Sequence, residues 1–308
     1  MAMGLRFFTA DVFTDRLFGG NQLAVFPEPG ALDTPVMQAI ARELNYSETV
    51  FVFPAEHPDH TRKLRIFTPG SELPFAGHPT IGTAFVLATI GELPLGAAGG
   101  SIVFEEGVGP VPVRITVERG VVTYCELTAA RLPEAGPPPP PLEEVAAALS
   151  LRPEDIRTDT LAPGGVSCGV PYFFVPLRDT AALARARPNI AAWEHSLSGW
   201  WAPAAYPLVE TAGRDGVDIR ARMFAPDIGI VEDPATGSAA AALAGYLAPD
   251  GGTGTGTRGW VVEQGVEMGR PSRLHVSCDR RDGRITAVRV GGSSVLVSEA
   301  RLALPGAA

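Results

Sequence analysis

The hydrophobic residues of this chain occur in short runs that are separated by glycine and proline. Three clear runs are Val50–Phe53, Ile102–Phe104 and Tyr172–Val175. Short runs rich in β-branched and aromatic residues, bounded by turn-forming residues, are typical of β-strands. With 35 glycines and 29 prolines among 308 residues, the pattern predicts many short strands joined by turns.

A different spacing predicts helices in three places. After Thr34-Pro35, apolar residues recur every four positions as far as Leu44, which is the spacing of one helix face. Two further segments, Thr80–Thr89 and Ser238–Leu247, consist mainly of small and apolar residues. We predict a helix in each of them.

The clearest break in the chain lies near its midpoint. Gly136–Pro141 is a glycine followed by five prolines, which continues neither a helix nor a sheet and forms a stiff connector. It predicts a boundary near residue 130, with an N-terminal half of residues 1–130 and a C-terminal half of residues 131–308 whose last strand can cross to the first half. Gly251–Gly256 alternates glycine and threonine and is expected to be a mobile loop.

A short motif occurs once in each half. Arg65–Pro69 recurs as Arg222–Pro226, and in both halves an acid, a glycine and a helical segment follow in that order. The acids and glycines are Glu72 and Gly77 in the first half, and Glu232 and Gly237 in the second. Either five positions match by chance, or the chain is a duplication of a strand, an acidic loop and a helix. A duplication predicts two pseudo-symmetric halves whose helix starts face each other across a cleft.

The two predicted helix starts can bind an anion. Phe75–Thr80 contains a histidine and a proline, and Asp233–Ser238 contains an aspartate, a proline and a hydroxyl residue. The unpaired N–H groups at a helix start, together with the helix dipole, favour a bound anion by about 0.3–1 kcal/mol. We therefore expect a substrate carboxylate to be bound by Gly77, Gly237 and Ser238.

His78 and Asp233 are candidate acid–base groups, one in each half. Taken alone, His78 also fits a loop histidine bonded to the backbone, and Asp233 fits a charge at a helix N-terminus. The repeat favours the functional interpretation of both. Ser238 fits a helix cap better than a nucleophile.

Glu48 is a third candidate. It follows the first predicted helix and directly precedes an apolar run, where burial would raise its pKa into the range useful for proton transfer. An exposed glutamate on a helix-to-strand turn is an equally good interpretation. Asn21 follows Gly19-Gly20, where its amide can bind a polar ligand or belong to an ordinary turn.

Charge and cysteine usage exclude several classes of protein. A net charge of −9 and a pI near 5.1 make nucleic acid and membrane surfaces poor partners. Cys125, Cys168 and Cys278 are far apart and odd in number, so neither a disulfide framework nor a zinc site is indicated. Nucleotide-binding glycine motifs and a nucleophile elbow do not occur in the sequence. We therefore expect no metal, no cofactor and a cytoplasmic protein.

Seven segments spread over nearly the whole chain form a recognisable set. They are Phe7–Phe13, Gly20-Asn21, Leu44–Thr49, Phe67–Pro69, Glu72–Thr80, Asp233–Ala239 and Met268–Ser272. Together they resemble the phenazine-biosynthesis isomerase family, which belongs to the diaminopimelate epimerase-like superfamily. The resemblance implies an α+β fold of two similar halves, each a curved β-sheet around a central helix, with the active site in the cleft between them. It also implies a homodimer.

The resemblance assigns roles to the candidate residues. Glu48 resembles the family's catalytic proton shuttle, and His78, Asp233 and Ser238 resemble its polar active-site partners. The implied reaction removes a proton from an activated carbon of a small carboxylate-bearing metabolite and returns it to another carbon through the same carboxyl group. Related epimerases carry two opposed cysteines at the helix starts, which this chain lacks there, so a two-thiol racemase is excluded. Gln22 stands where the family usually has proline, which loosens that turn.

Three functions therefore fit the sequence. The first is a cofactor-independent isomerase in which Glu48 moves a proton. The second is a non-catalytic protein of the same fold that binds or senses a small carboxylate. The third is a hydrolase with a triad of Asp233, His78 and Ser238, which suffers because Ser238 lies in a helical turn rather than on a nucleophile elbow.

Overall fold

The structure, a computed structural model, describes residues 4–249 and 254–304. The chain divides into two compact units: unit 1 is Met1–Ala130 with Gly291–Ala308, and unit 2 is Arg131–Val290. Half of the loop predicted at Gly251–Gly256, residues 251–253, lies outside the described residues, and a strand begins at its last residue. Within the described ranges, no helix is both long and apolar enough to cross a membrane.

The elements follow one another in this chain order. Residues 4–130 form β1 (Leu5–Val12), β2 (Asn21–Phe26), α1 (Thr34–Leu44), β3 (Glu48–Pro54), β4 (Arg62–Phe67), β5 (Glu72–Leu73), α2 (Gly77–Thr89), β6 (Gly99–Glu106), β7 (Gly109–Glu118) and β8 (Val121–Thr128). Unit 2 forms β9 (Glu134–Ala135), α3 (Leu142–Ala148), β10 (Gly164–Ser167), β11 (Pro171–Pro176), α4 (Thr180–Arg185), α5 (Ile190–Ser196), β12 (Ala204–Glu210), β13 (Ile219–Ala221), α6 (Gly237–Leu247), β14 (Gly256–Gln264), β15 (Ser272–Arg281) and β16 (Arg284–Gly292). The last strand, β17 (Ser294–Leu302), belongs to unit 1.

Unit 1 is a mixed sheet that curves around α2. Strand β1 pairs antiparallel with both β17 and β2, and β2 pairs parallel with β3. The order continues with antiparallel β3–β4, parallel β4–β6 and antiparallel β6–β7–β8. Helix α2 contacts β17 and β1 near one end of this order, and β7 and β8 at the other. The sheet therefore wraps around the helix.

Helix α2 is central because its sequence offers no polar face. All residues from Gly77 to Leu87 are buried, as expected of a helix that is apolar on every side. Gly82 allows the helix to approach the sheet closely. A Cβ at this position would lie 2.5 Å from the side chains of both Val12 and Leu23.

Helix α1 packs on the outer face of the same sheet, and its predicted bounds are confirmed. The Asp33 side chain accepts a hydrogen bond from the Val36 N–H and caps its start. Asn45 ends the helix in the left-handed conformation, with φ of 52°. The buried side of α1 packs against stacked Phe26 and Phe51, whose ring centroids are 4.9 Å apart.

Unit 2 is a second mixed sheet around a central helix. Strand β10 pairs antiparallel with β9 and β11, and parallel β11–β12 is followed by antiparallel β12–β13. Parallel β13–β14 and antiparallel β14–β15 complete the order. Helix α6, which is built largely of buried alanine, contacts β9, β10, β11 and β15. The fully buried Trp193 anchors a cluster that includes residues of α3, α4 and α5.

The two units share one order of strands and central helix. It is β1–β2–β3–β4–α2–β6–β7 in unit 1 and β10–β11–β12–β13–α6–β14–β15 in unit 2, and consecutive strands pair with the same antiparallel and parallel orientations in both. The repeated motif also forms the same contact in each. Arg65 binds Glu72 through Nε and Nη2 at 2.7 and 2.6 Å, and Arg222 binds Glu232 through the same atoms at 2.8 and 2.7 Å. The motif match is therefore a structural duplication and not a chance similarity.

Candidate active site

Glu48 and His78 meet in the interior of unit 1. Glu48 is the first residue of β3, and His78 is the second residue of α2. The Glu48 Oε2 and His78 Nε2 atoms are 3.1 Å apart, and the two side chains are only 9% and 4% exposed. The interpretation of Glu48 as an exposed turn residue is therefore wrong, and the buried interpretation is correct.

The His78 ring is held on its other side by strand β2. The amide nitrogen Nδ2 of Asn21 lies 3.2 Å from His78 Nδ1, and Asn21 is fully buried. Burial lowers the pKa of His78 to about 3, although a hydrogen bond to the Gln22 backbone acts in the opposite direction. The imidazole is therefore neutral at physiological pH, and Asn21 serves to orient it.

A neutral imidazole suits a neighbouring carboxyl group that must change its proton state. The Asn21 amide N–H donates to Nδ1, so Nε2 carries the ring proton, and it can donate to Glu48 Oε2 whether the carboxyl group is ionised or holds its own proton on Oε1. A positively charged ring beside Glu48 would instead stabilise the carboxylate and oppose its protonation. The arrangement therefore permits Glu48 both to take up a proton and to release it.

Helix α2 begins earlier than the sequence analysis expected. We predicted a start at Thr80, with His78 and Pro79 ahead of it, but the helix begins at Gly77. The proline fits because the N–H groups of the first turn have no partner within the helix. His78 is consequently fixed on a rigid element, and its interpretation as a loop histidine is wrong.

In unit 2, Asp233 lies in a turn that leads into α6. It is 6% exposed, and its Oδ2 accepts a 2.6 Å hydrogen bond from the Thr236 hydroxyl. Gln264 Nε2 donates to the Asp233 carbonyl at 2.7 Å and to Thr236 Oγ1 at 3.0 Å. Gln264 Oε1 accepts from the Thr236 N–H at 3.2 Å and from the buried Tyr206 hydroxyl at 2.9 Å. Asp233 is thus part of a built, buried network and not a surface charge at a helix end.

Ser238 occupies the second position of α6, as His78 does in α2. Its hydroxyl oxygen lies 2.7 Å from the hydroxyl of Tyr172 on β11. Gly237, which begins the helix, is buried. The contacts of Ser238 with Tyr172, and of His78 with Asn21 and Glu48, give no support to the hydrolytic triad.

Sequence reasoning missed the polar residues that hold the two helix starts, which are Thr80, Glu106, Tyr172, Tyr206 and Gln264. A signal existed for two of them. Residues 105–108 read Glu-Glu-Gly-Val and residues 263–266 read Glu-Gln-Gly-Val, which is a second repeated motif.

Comparisons with known proteins agree with this architecture. The profile of the family described as phenazine biosynthesis-like protein matches residues 10–300. An uncharacterized isomerase of Mesorhizobium japonicum is 39% identical over 95% of this chain and 96% of its own length. The trans-2,3-dihydro-3-hydroxyanthranilate isomerase of Pseudomonas aeruginosa is 33% identical over 96% of this chain and 98% of its own length.

Solved structures show the same fold. A phenazine biosynthesis protein of the PhzF family from Bacillus anthracis aligns with a TM-score of 0.86 at 26% identity, covering 97% of this chain and 99% of that one. A hydroxyproline epimerase from Agrobacterium vitis aligns with a TM-score of 0.68 at 14% identity, over 98% and 93% of the two chains.

Fold and comparisons together define an isomerase with the α+β, diaminopimelate epimerase-like fold, which confirms the predicted fold class. The chain belongs to the phenazine biosynthesis-like protein family, as its motifs predicted. The comparisons favour an enzyme over the non-catalytic binding protein.

Proposed function

We propose that the protein is a cofactor-independent isomerase that moves a proton between two carbons of a small carboxylate-bearing metabolite, with Glu48 as both base and acid. The observation that supports this role is the burial of Glu48 at 3.1 Å from a neutral His78.

The reaction needs two proton transfers and one carboxyl group. The Glu48 carboxylate removes a proton from a carbon that a neighbouring unsaturated or carboxylate group makes acidic, and the electron pair of that C–H bond is delocalised into the substrate. The resulting Glu48 carboxylic acid then gives the proton to a second carbon, where a new C–H bond forms. The carboxylate is restored, and the product is an isomer of the substrate.

The surroundings of Glu48 favour this cycle. Exclusion of water strengthens the electrostatic interactions of the carboxyl group and slows loss of the proton to solvent. His78 is oriented by Asn21 and lies 3.1 Å from the Glu48 carboxyl, where its Nε2 proton can be donated to that group in either proton state. Asp233 is proposed as the second polar catalytic group, because its carboxyl group is buried and oriented by Thr236.

Substrate binding is assigned to the helix starts. Gly77, Gly237 and Ser238 stay the predicted contacts of the substrate carboxylate, through the first-turn N–H groups and the serine hydroxyl. Asn21 stays a predicted polar contact of the substrate. The relative from Pseudomonas aeruginosa is named for trans-2,3-dihydro-3-hydroxyanthranilate. This compound is therefore the first substrate to test, within the wider class of small unsaturated carboxylates. The homodimer and the cytoplasmic location stay predictions.

The proposal is tested by hydrogen exchange during turnover. The enzyme is incubated in D₂O with trans-2,3-dihydro-3-hydroxyanthranilate and with a panel of small unsaturated carboxylates, and deuterium in the recovered compounds is measured by mass spectrometry. We expect deuterium on carbon with the wild-type chain and none with Glu48→Gln. Glu43→Gln, on the exposed side of α1, is the matched control and should behave as wild type. Exchange by Glu48→Gln at the wild-type rate would reject the assignment.

A further inference from the structure

Glu106 and Gln264 occupy the same position in the duplicated fold. In unit 1, Lys63 lies two residues before Arg65 and pairs with Glu105 of β6. In unit 2, Arg220 lies two residues before Arg222 and pairs with Glu263 of β14. The next residue along each strand is Glu106 in β6 and Gln264 in β14. The repeated motif around both residues gives the same alignment.

Both side chains bind the start of the central helix of their own unit. Gln264 contacts Thr236, the residue that precedes α6, through both ends of its amide. Glu106 Oε1 lies 2.6 Å from the hydroxyl of Thr80 in the first turn of α2. One position of the repeat thus carries a neutral amide in unit 2 and a carboxyl group in unit 1, and in both units this side chain binds a threonine at the start of the central helix.

The contacts of Thr80 indicate which proton state of Glu106 the fold requires. Thr80 Oγ1 lies 2.8 Å from the carbonyl oxygen of Ala76 and 2.6 Å from Glu106 Oε1. A carbonyl oxygen can only accept, and a hydroxyl has a single proton to donate. Both contacts are full hydrogen bonds when Thr80 donates to Ala76 and Glu106, as a carboxylic acid, donates to Thr80. A Glu106 carboxylate would instead have to share the single Thr80 proton with the Ala76 carbonyl oxygen.

The environment of Glu106 also favours its neutral form. The residue is 8% exposed, and its Oε2 has no hydrogen-bond partner among the described residues. Burial raises the pKa of Glu106 to about 8, even when the Thr80 hydroxyl is taken to donate to the carboxylate and so to lower that pKa. A carboxylate here would lack both solvent and a compensating cation.

The charged groups around Glu106 on neighbouring elements are already paired with one another. Glu106 lines a surface pocket together with three ion pairs, which are Lys63 with Glu56, Arg65 with Glu72, and His60 with Glu105. On α2, the ring of His78 is neutral at physiological pH. These pairings leave no strong cation committed to Glu106.

We propose that Glu106 is a positioning residue of the enzyme, which holds the first turn of α2, and with it His78, as an uncharged carboxylic acid. This inference rests on the proposed function, because its effect on catalysis passes through His78 to Glu48. Loss of the Glu106 proton would draw the single Thr80 proton towards the carboxylate, weaken the Thr80 bond to the Ala76 carbonyl oxygen, and leave a charge in the interior beside the helix start. The first turn would then loosen, and activity would fall in alkaline solution.

The kinetic test is the pH profile of kcat. We expect the wild-type kcat to fall about tenfold per pH unit above about pH 8. Glu106→Gln supplies an N–H donor to Thr80 that cannot ionise, as Gln264 does in unit 2, and should keep its kcat up to about pH 9.5. Glu105→Gln, one residue earlier and paired with His60, is the matched control and should retain the wild-type alkaline decline. An identical decline in wild type and Glu106→Gln would overturn the proposal.

A second readout does not need a substrate. In ¹⁵N-histidine-labelled protein, with the His78 signals assigned by their loss in His78→Asn, we expect those signals to shift with an apparent pKa near 8 in the wild-type chain and not in Glu106→Gln. His78 signals that do not change between about pH 6.5 and 9.5 in the wild-type chain would overturn the proposal. If the His78 transition depends on Glu106 but no isomerisation is found, the positioning role stands and the proposed function fails.

Discussion

Glu48 Oε2 lies 3.1 Å from His78 Nε2, and each residue stands at the beginning of a regular element, β3 for the glutamate and α2 for the histidine. Both side chains are therefore held by backbone that the sheet and the central helix make rigid. Because the histidine is neutral, the proton that moves during the proposed reaction can be carried by the carboxyl group alone.

His78→Asn should lower kcat more than it changes KM. The substitution removes the ring that holds Glu48, so proton transfer loses a share of the 10²–10⁴-fold acceleration that a positioned acid–base group typically supplies. We expect kcat to fall about 10²-fold in steady-state kinetics. His57→Asn, at an exposed histidine, should keep its wild-type kcat. A fall in both variants would show that the effect is not specific to the site.

Stability should fall in acid because His78 is buried as a neutral ring. The pKa of His78 is about 3 in the folded chain and about 6.5 in an unfolded one. Below about pH 6.5 the unfolded state binds a proton that the folded state refuses, so the free energy of unfolding decreases by up to about 1.4 kcal/mol per pH unit until about pH 3. Urea unfolding of His78→Asn between pH 4 and 7 should show a smaller slope against pH than the wild-type chain.

Glu106 should lower stability as pH rises from about 4.3 to about 8, a contribution opposite in sign to that of His78. Its pKa is about 8 in the folded chain and about 4.3 in an unfolded one. Between these values the unfolded state has lost a proton that the folded state keeps, so the free energy of unfolding decreases as pH rises, by up to about 1.4 kcal/mol per unit. Glu106→Gln should remove this contribution, which urea unfolding at pH 5 and pH 8 will measure. Equal changes between these pH values in both chains would contradict the neutral state of Glu106.

Asp233→Asn tests the proposed role of the unit 2 network. Asparagine keeps an acceptor for the Thr236 hydroxyl, so the turn before α6 should retain its shape while the charge is lost. We expect kcat to fall at least about tenfold, with a far-UV circular dichroism spectrum and melting temperature near those of wild type. Wild-type kcat in a folded Asp233→Asn protein would leave Asp233 with a structural role only.

Local patterns were sufficient to predict much of the fold. The i, i+4 spacing and the Thr34-Pro35 start gave α1 with correct bounds, because that helix has one apolar face and a side-chain cap. The start of α2 was placed three residues late. Its first turn lacks a capping side chain. It is held instead by Glu106, which lies on β6, the strand that follows the helix in the sequence.

The candidate site, like the fold, could be predicted from the sequence only in part. Glu48, His78 and Asp233 could be selected from their motifs and from the repeat, whereas the burial of Glu48 could not, since it depends on strand pairing across the sheet. Gln264 and Tyr206 are distant in sequence from Asp233, and only the folded chain brings them to the same turn. Glu106 was missed, although the repeated Glu-Glu-Gly-Val and Glu-Gln-Gly-Val segments could have shown that it is equivalent to Gln264; its contact with Thr80 could not be read from them.

The most direct measurement of the central claim follows a deuterium atom through one turnover. A substrate found by the exchange screen is labelled at the carbon that loses its proton and converted by excess enzyme in H₂O, and the product is analysed by mass spectrometry and NMR. Because one buried carboxyl group is proposed to take and return the same hydrogen, part of the deuterium should appear at the new carbon, and Glu48→Gln should form no product. Two results would contradict the account. One is product that contains no deuterium even at the shortest reaction times, and the other is product formation by Glu48→Gln at the wild-type rate.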